Sequence, residues 1–222
     1  MLGVFDIIGP VMIGPSSSHT AGAVRLGRMA LAVLGSEPVK AEIYLHGSFS
    51  QTGKGHGTDL AIIAGLLGMR TDDEQIVSAE QLAVERGLAI KISSADLGPV
   101  HPNTAKISVE DQAGNKKAII GSSIGGGNIL ITQINDFNVG LTGELWTICV
   151  LYKDRLGMIA KVSDLLAKGG INIAGMHVSR TGRTGLALMV VETDGMIPRE
   201  IIDRILGIQA IDTAFVLEPV ID

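Results

Sequence analysis

Apolar residues recur with two different periods along this chain, and the change of period marks its elements. From Trp146 onward the pattern is regular. Trp146 to Tyr152 is an apolar, β-branched run that predicts a strand, followed by a loop at Lys153–Gly157. Met158, Ile159, Val162, Leu165 and Leu166 then fall at helical spacing, and Gly169-Gly170 ends that helix. Ile171 to Ser179 and Leu186 to Glu192 predict two strands around a turn at Arg180–Arg183. Pro198 opens a helix to about Leu206, and Ile211 to Leu217 predicts a closing strand. The order β-α-β-β-α-β is the ferredoxin-like, split βαβ arrangement.

The first 145 residues are less regular. Leu26, Met29, Ala30, Val33 and Leu34 share one helical face, with Gly35 placed to end the helix. Lys40 to His46 predicts a strand, Thr58 to Leu67 a short buried helix and Ala79 to Arg86 another helix. Leu88–Ser93, Ala105–Val109, Lys117–Gly121 and Ile129–Ile134 read as strands separated by Gly- or Asn/Asp-rich breaks. The chain is therefore α+β, with two domains expected over 1–140 and 146–222 and a boundary near Asn138–Glu144.

Composition narrows the functional classes. Of 222 residues, 46% are hydrophobic and 18% charged, a globular balance; aromatics are only 3%, so aliphatic side chains must build the cores. A net charge of −5 leaves no basic footprint for nucleic acid. No apolar run is long enough for a membrane span, and the N-terminal segment lacks a cationic n-region, so a cytoplasmic protein is expected. One cysteine, Cys149, lies inside an apolar run and reads as a small buried hydrophobe. A single thiolate cannot hold an iron–sulfur cluster, which takes three or four.

Two polar segments could carry chemistry. Gly14-Pro-Ser-Ser-Ser-His-Thr20 precedes the first helix, where unpaired N–H groups and serine hydroxyls suit a small carboxylate. One serine acting as an N-cap and the rest solvating a loop is the plainer alternative. The second segment holds His46-Gly-Ser48 and then Gln51-Thr-Gly-Lys-Gly-His-Gly-Thr-Asp59. A P-loop would need four residues between its glycines and a Ser or Thr after the lysine, and both conditions fail. What remains is a flexible loop bearing Lys54, His56 and Asp59, suited to an anion contact or proton transfer, or simply solvated. Turn chemistry accounts for Gly121–Asn128, and the five histidines have no zinc-ligand spacing.

Together, Gly14–Thr20 and Thr52–Asp59 resemble the beta-chain module of bacterial iron–sulfur L-serine dehydratases. Asp154-Arg-Leu-Gly157 with Gly170-Ile-Asn-Ile-Ala-Gly175 resembles an ACT domain, an amino-acid-sensing module. The resemblance covers essentially the whole chain. It implies an N-terminal domain of the allosteric substrate-binding type followed by a ferredoxin-like ACT domain. It also implies a cysteine-rich alpha-chain partner whose [4Fe–4S] cluster acts as a Lewis acid on the serine hydroxyl, giving pyruvate and ammonia without pyridoxal phosphate. Carried over residue by residue, His19 and His56 become catalytic candidates. Ser16, Ser17, Ser18, Thr20, Lys54 and Asp59 become substrate or interface contacts. Tyr152, Asp154, Arg155, Gly157 and Asn172 become the ACT ligand set, although serine-sensing relatives often have Asn where Asp154 stands and His where Tyr152 stands. The ACT domain is also expected to mediate self-association, and an ACT domain that only dimerises stays open. The rival is a free-standing amino-acid sensor with no catalytic role. A dehydrogenase regulatory fragment would need a GxGxxG after a strand, which is absent.

Overall fold

The computed structural model describes residues 9–182 and 185–221, apart from the side chain of Lys54. The N-terminal segment before Gly9, Arg183 of the expected turn and the Lys54 side chain therefore lie outside the described residues. The chain divides into two compact units, 1–135 with 220–222, and 136–219.

In the first unit, helix α1 (Gly22–Leu34) buries Leu26, Met29, Ala30 and Val33 on one face. It stops where Gly35 turns left-handed at φ 77°, its N–H returning to Leu31 O at 2.9 Å. Strand β1 (Pro38–Leu45) leads into α2 (Gly47–His56), α3 (Thr58–Leu66) and α4 (Ala79–Glu85), and β2 (Ala89–Ser94) returns parallel to β1. Strands β3 (Thr104–Asp111), β4 (Lys116–Gly125) and β5 (Asn128–Ile134) continue antiparallel. Within this unit the sheet order is β2-β1-β3-β4-β5, and β6 (Phe137–Leu141) opens the second unit. Ala41, Ile43, Ile107, Val109 and Ile119 point inward toward the helices, while Lys40, Glu42, Lys106 and Glu110 occupy the alternate positions. Val220 closes this unit, buried, its carbonyl accepting from Arg28 Nη1 at 2.9 Å.

Two expectations change here. Gly47–His56, read as a flexible loop, is a helix. Its two internal glycines and weak amphipathicity hide it from pattern reading, because tertiary packing holds it: Phe49 is fully buried. His56 thus ends one helix and Asp59 lies in the first turn of the next, with Gly57 left-handed between them. The second change is β6, a strand inside the stretch read as an inter-domain boundary.

The second unit runs β7 (Trp146–Lys153), α5 (Met158–Lys168), β8 (Ile173–Arg180), β9 (Leu186–Thr193), α6 (Arg199–Leu206) and β10 (Ile211–Leu217). Its antiparallel sheet has the order β10-β7-β9-β8, so the expected ferredoxin-like fold is present. Met158, Val162 and Leu166 of α5 and Ile201, Ile202 and Ile205 of α6 pack with Ile148, Val150 and Val191 of the sheet. Each such side chain contributes roughly 1.5–3 kcal/mol on burial.

Candidate functional site

The first polar segment is shaped by its serines. Ser16 is extended, and its Oγ accepts from His19 N at 3.2 Å, capping a single wide turn, Ser17–Ala21, that runs straight into α1. Ser17 packs beside Gly9 and Ser18 is half-exposed. Thr20 is buried, and its hydroxyl has no hydrogen-bond partner among the described residues. Behind this turn the buried Arg25 donates from Nη1 to Gly127 O at 2.7 Å, tying α1 to the glycine turn between β4 and β5.

The turn presents His19 to helix α2, where Ser48, Thr52 and His56 follow one another at i, i+4 and i+8 and so share a face. His19 Nε2 lies 3.2 Å from Ser48 Oγ and 3.1 Å from Thr52 Oγ1. The Thr52 hydroxyl donates to Ser48 O at 2.9 Å, and His56 Nδ1 lies 3.0 Å from Thr52 O. The two imidazoles are 4.9 Å apart between centroids, inclined by 38°. Phe49 meets His19 edge-on at 5.3 Å. Burial pushes His19 below its ordinary pKa, the charge of His56 pushes the same way, and the contact at Ser48 opposes both. His19 is therefore neutral at physiological pH and able to accept a proton.

Two of the expected site residues, His19 and His56, thus come together, with Ser16 fixing the backbone beneath them. Asp59 does not join them. It lines a separate cleft of about 160 Å³ with Phe49, Ser50, Gly53 and Ser94, on a different face of α2. Ser48, Thr52 and Phe49 are additions to the expected set; a helical reading of Gly47–His56 is the signal that would have grouped the first two with His56. His46 is apart as well, its Nδ1 accepting from Leu97 N at 3.1 Å. Gly121-Ser-Ser-Ile-Gly125 spells the GxSxG of a nucleophile elbow, but Ser123 is fully buried within β4 against Gly22, and no turn exposes it.

In the second unit, Asp154 accepts from Arg180 Nη1 at 3.2 Å, and its N–H donates to Gly185 O at 2.9 Å. Tyr152 is buried, and burial first, then Asp154, pushes its hydroxyl pKa up. Gly157 takes φ 82° as the N-cap of α5, and Arg155 is exposed. Asn172 stands elsewhere. It donates to Asp194 Oδ2 at 2.6 Å, just before Ile173, which pairs with Thr193, itself paired with Trp146 at the start of β7. Asp154 follows the other end of β7. An eight-residue strand separates the two, about 26 Å at 3.3 Å per residue.

Sequence profiles of two families match this chain: serine dehydratase beta chain over residues 3–133, and ACT domain over residues 147–208. The chain belongs to the serine dehydratase beta-chain family. It is 50% identical over 202 residues to the probable L-serine dehydratase beta chain of Bacillus subtilis (strain 168), covering 91% of each chain. It is 38% identical to the L-serine dehydratase beta chain of Peptoniphilus asaccharolyticus, covering 96% of this chain and 97% of that one. The L-serine dehydratase TdcG of Escherichia coli (strain K12) is 29% identical over 79% of this chain and 42% of its own length.

Proposed function

We propose that this chain is the beta subunit of an L-serine dehydratase, working with a cysteine-rich alpha chain to convert L-serine to pyruvate and ammonia in the cytoplasm. The meeting of His19, Ser48, Thr52 and His56 carries this reading, because it joins the two family motifs into one polar site with a neutral imidazole. An iron–sulfur cluster does not fit this chain. Its one thiol, Cys149, is fully buried, and no group of three His, Cys, Asp or Glu among the described residues is placed to hold a metal. The cluster then belongs to the companion chain, and the beta chain supplies carboxylate contacts from Ser16–Ser18 and Lys54 and proton handling from the histidines. Asp59, in its own cleft, and buried Thr20 support the fold around that site.

The ACT unit serves as an amino-acid sensor and a self-association surface. Tyr152, Asp154, Arg155 and Gly157 are too far from Asn172 to form one pocket in one copy. The edge strand β8 offers the remedy: two β8 strands paired antiparallel bring Asn172 of a second copy beside Arg180 and Asp154 of the first.

Anaerobic co-expression with a cysteine-rich alpha chain tests the reading. A co-purifying pair that forms pyruvate from L-serine is expected; a loaded companion chain that neither binds this one nor gains activity from it would refute it.

A further inference from the structure

We propose that Thr52 is a positioning residue that sets His19 as the Nε2–H tautomer and, through its own carbonyl, His56 as the Nδ1–H tautomer. The basic nitrogens of the site are then His19 Nδ1 and His56 Nε2. The inference rests on the reading of this site as the one that handles protons for the dehydratase.

The Thr52 hydroxyl has one hydrogen, and its Oγ1 lies 2.9 Å from Ser48 O, a carbonyl that can only accept. That hydrogen is therefore committed, and lone pairs of Oγ1 face His19. At 3.1 Å from Oγ1, His19 Nε2 must supply the hydrogen, since two lone pairs at that distance repel. Ser48 Oγ, 3.2 Å from the same nitrogen, can only share in accepting it. His56 Nδ1, 3.0 Å from Thr52 O, faces an acceptor too and must carry its hydrogen there. A neutral imidazole has one N–H, so each ring keeps its lone pair on the opposite nitrogen. Opposite tautomers thus arise from one residue, the first through a side-chain oxygen and the second through a backbone oxygen.

This division makes the test selective. Thr52→Val removes the hydroxyl and keeps the carbonyl, while Thr52→Ser keeps both. Long-range ¹H–¹⁵N spectra of the ¹⁵N-histidine-labelled full chain, recorded above pH 7, report each tautomer directly. The wild type should show Nε2–H for His19 and Nδ1–H for His56. Thr52→Val should mix the tautomers of His19 and leave His56 as it was, and Thr52→Ser should restore the wild-type pattern. In the assembled complex, Thr52→Val should lower kcat roughly ten- to hundredfold with little change in KM, part of the ~10²–10⁴ that positioned acid–base groups supply. Wild-type tautomers at His19 in Thr52→Val, or Nε2–H at His56 in the wild type, would overturn the proposal. The expected spectra in all three chains, with unchanged kcat for Thr52→Val in an active complex, would instead reject the dehydratase role of the site and leave the tautomers standing.

Discussion

Gly27 of α1 and Gly65 of α3 face each other so closely that a β-carbon on either would run into the other helix's backbone. On Gly27 it would meet Ile62 O, and on Gly65 it would meet Val24 O. Upstream of α1 lies the turn that presents His19, and upstream of α3 lies the helix that carries Ser48, Thr52 and His56. The glycine contact therefore sets the spacing between the two halves of the site.

Gly27→Ala or Gly65→Ala should force these helices apart. Overpacking of this kind costs roughly 1–3 kcal/mol, and backbone on the receiving side cannot rotate away as a side chain would. Thermal unfolding followed by circular dichroism should show a clear fall in Tm for either variant. An unchanged Tm would show that the crossing is looser than described.

The depressed pKa of His19 gives stability a pH dependence of definite sign. Above its ordinary value of 6.5 the ring is neutral whether the chain is folded or not. As the pH falls below 6.5 the unfolded chain takes up a proton that the folded chain refuses, so stability falls until the folded ring also titrates. Urea midpoints of the isolated chain at pH 7.5 and about 5.5 should differ, and His19→Asn should shrink that difference. An undiminished difference in the variant would assign the effect to another group.

Much of this was legible in the sequence, and the misses have physical causes. The ferredoxin-like unit was readable because α5 buries a single helical stripe, Met158, Val162 and Leu166, and because β7 and β9 are short continuous apolar runs, buried along most of their length and bounded by turn residues. The two motifs were readable as polar islands beside element ends. Helix α2 was not, since Gly53 and Gly55 lower its helix propensity and its stability comes from Phe49 entering the core. Without that helix, Ser48 and Thr52 cannot be aligned with His56, and Asp59, three residues on, reads as its neighbour in one loop. The separation of Asn172 from Asp154 was equally hidden, because it depends on strand register.

At the other end of the pH scale, Asp111 anchors the turn between β3 and β4. Its carboxylate accepts from Asn115 Nδ2 at 2.9 Å, Ser36 Oγ at 2.8 Å, and the N–H groups of Asn115 and Ala113, each at 2.9 Å. Led by the Asn115 side chain, these donors pull its pKa from 3.8 down to about 2. The stability it contributes is complete above 3.8 and lost as the pH falls toward 2. Asp111→Asn should lower the urea midpoint at pH 7, with a smaller deficit at about pH 2.5. A deficit that does not shrink in acid would show that the ionised form is not what the donors hold.

Ser123 calls for the opposite result. Its hydroxyl is buried in β4 and has no hydrogen-bond partner among the described residues. Burying an unpaired hydroxyl costs about 1–3 kcal/mol, so Ser123→Ala should leave Tm unchanged or raise it. Activity of the complex should persist. Loss of activity without loss of stability would restore this serine as a chemical group.

Working histidines brought by this chain to a serine dehydratase should show directly in its kinetics. The most direct measurement is kcat/KM for L-serine in the anaerobically assembled complex, comparing wild type with His19→Ala and His56→Ala at matched cluster content. Proton handling by these rings predicts a loss of roughly 10²-fold or more in each variant, with the subunits still associated. Wild-type kcat/KM in both variants would contradict it.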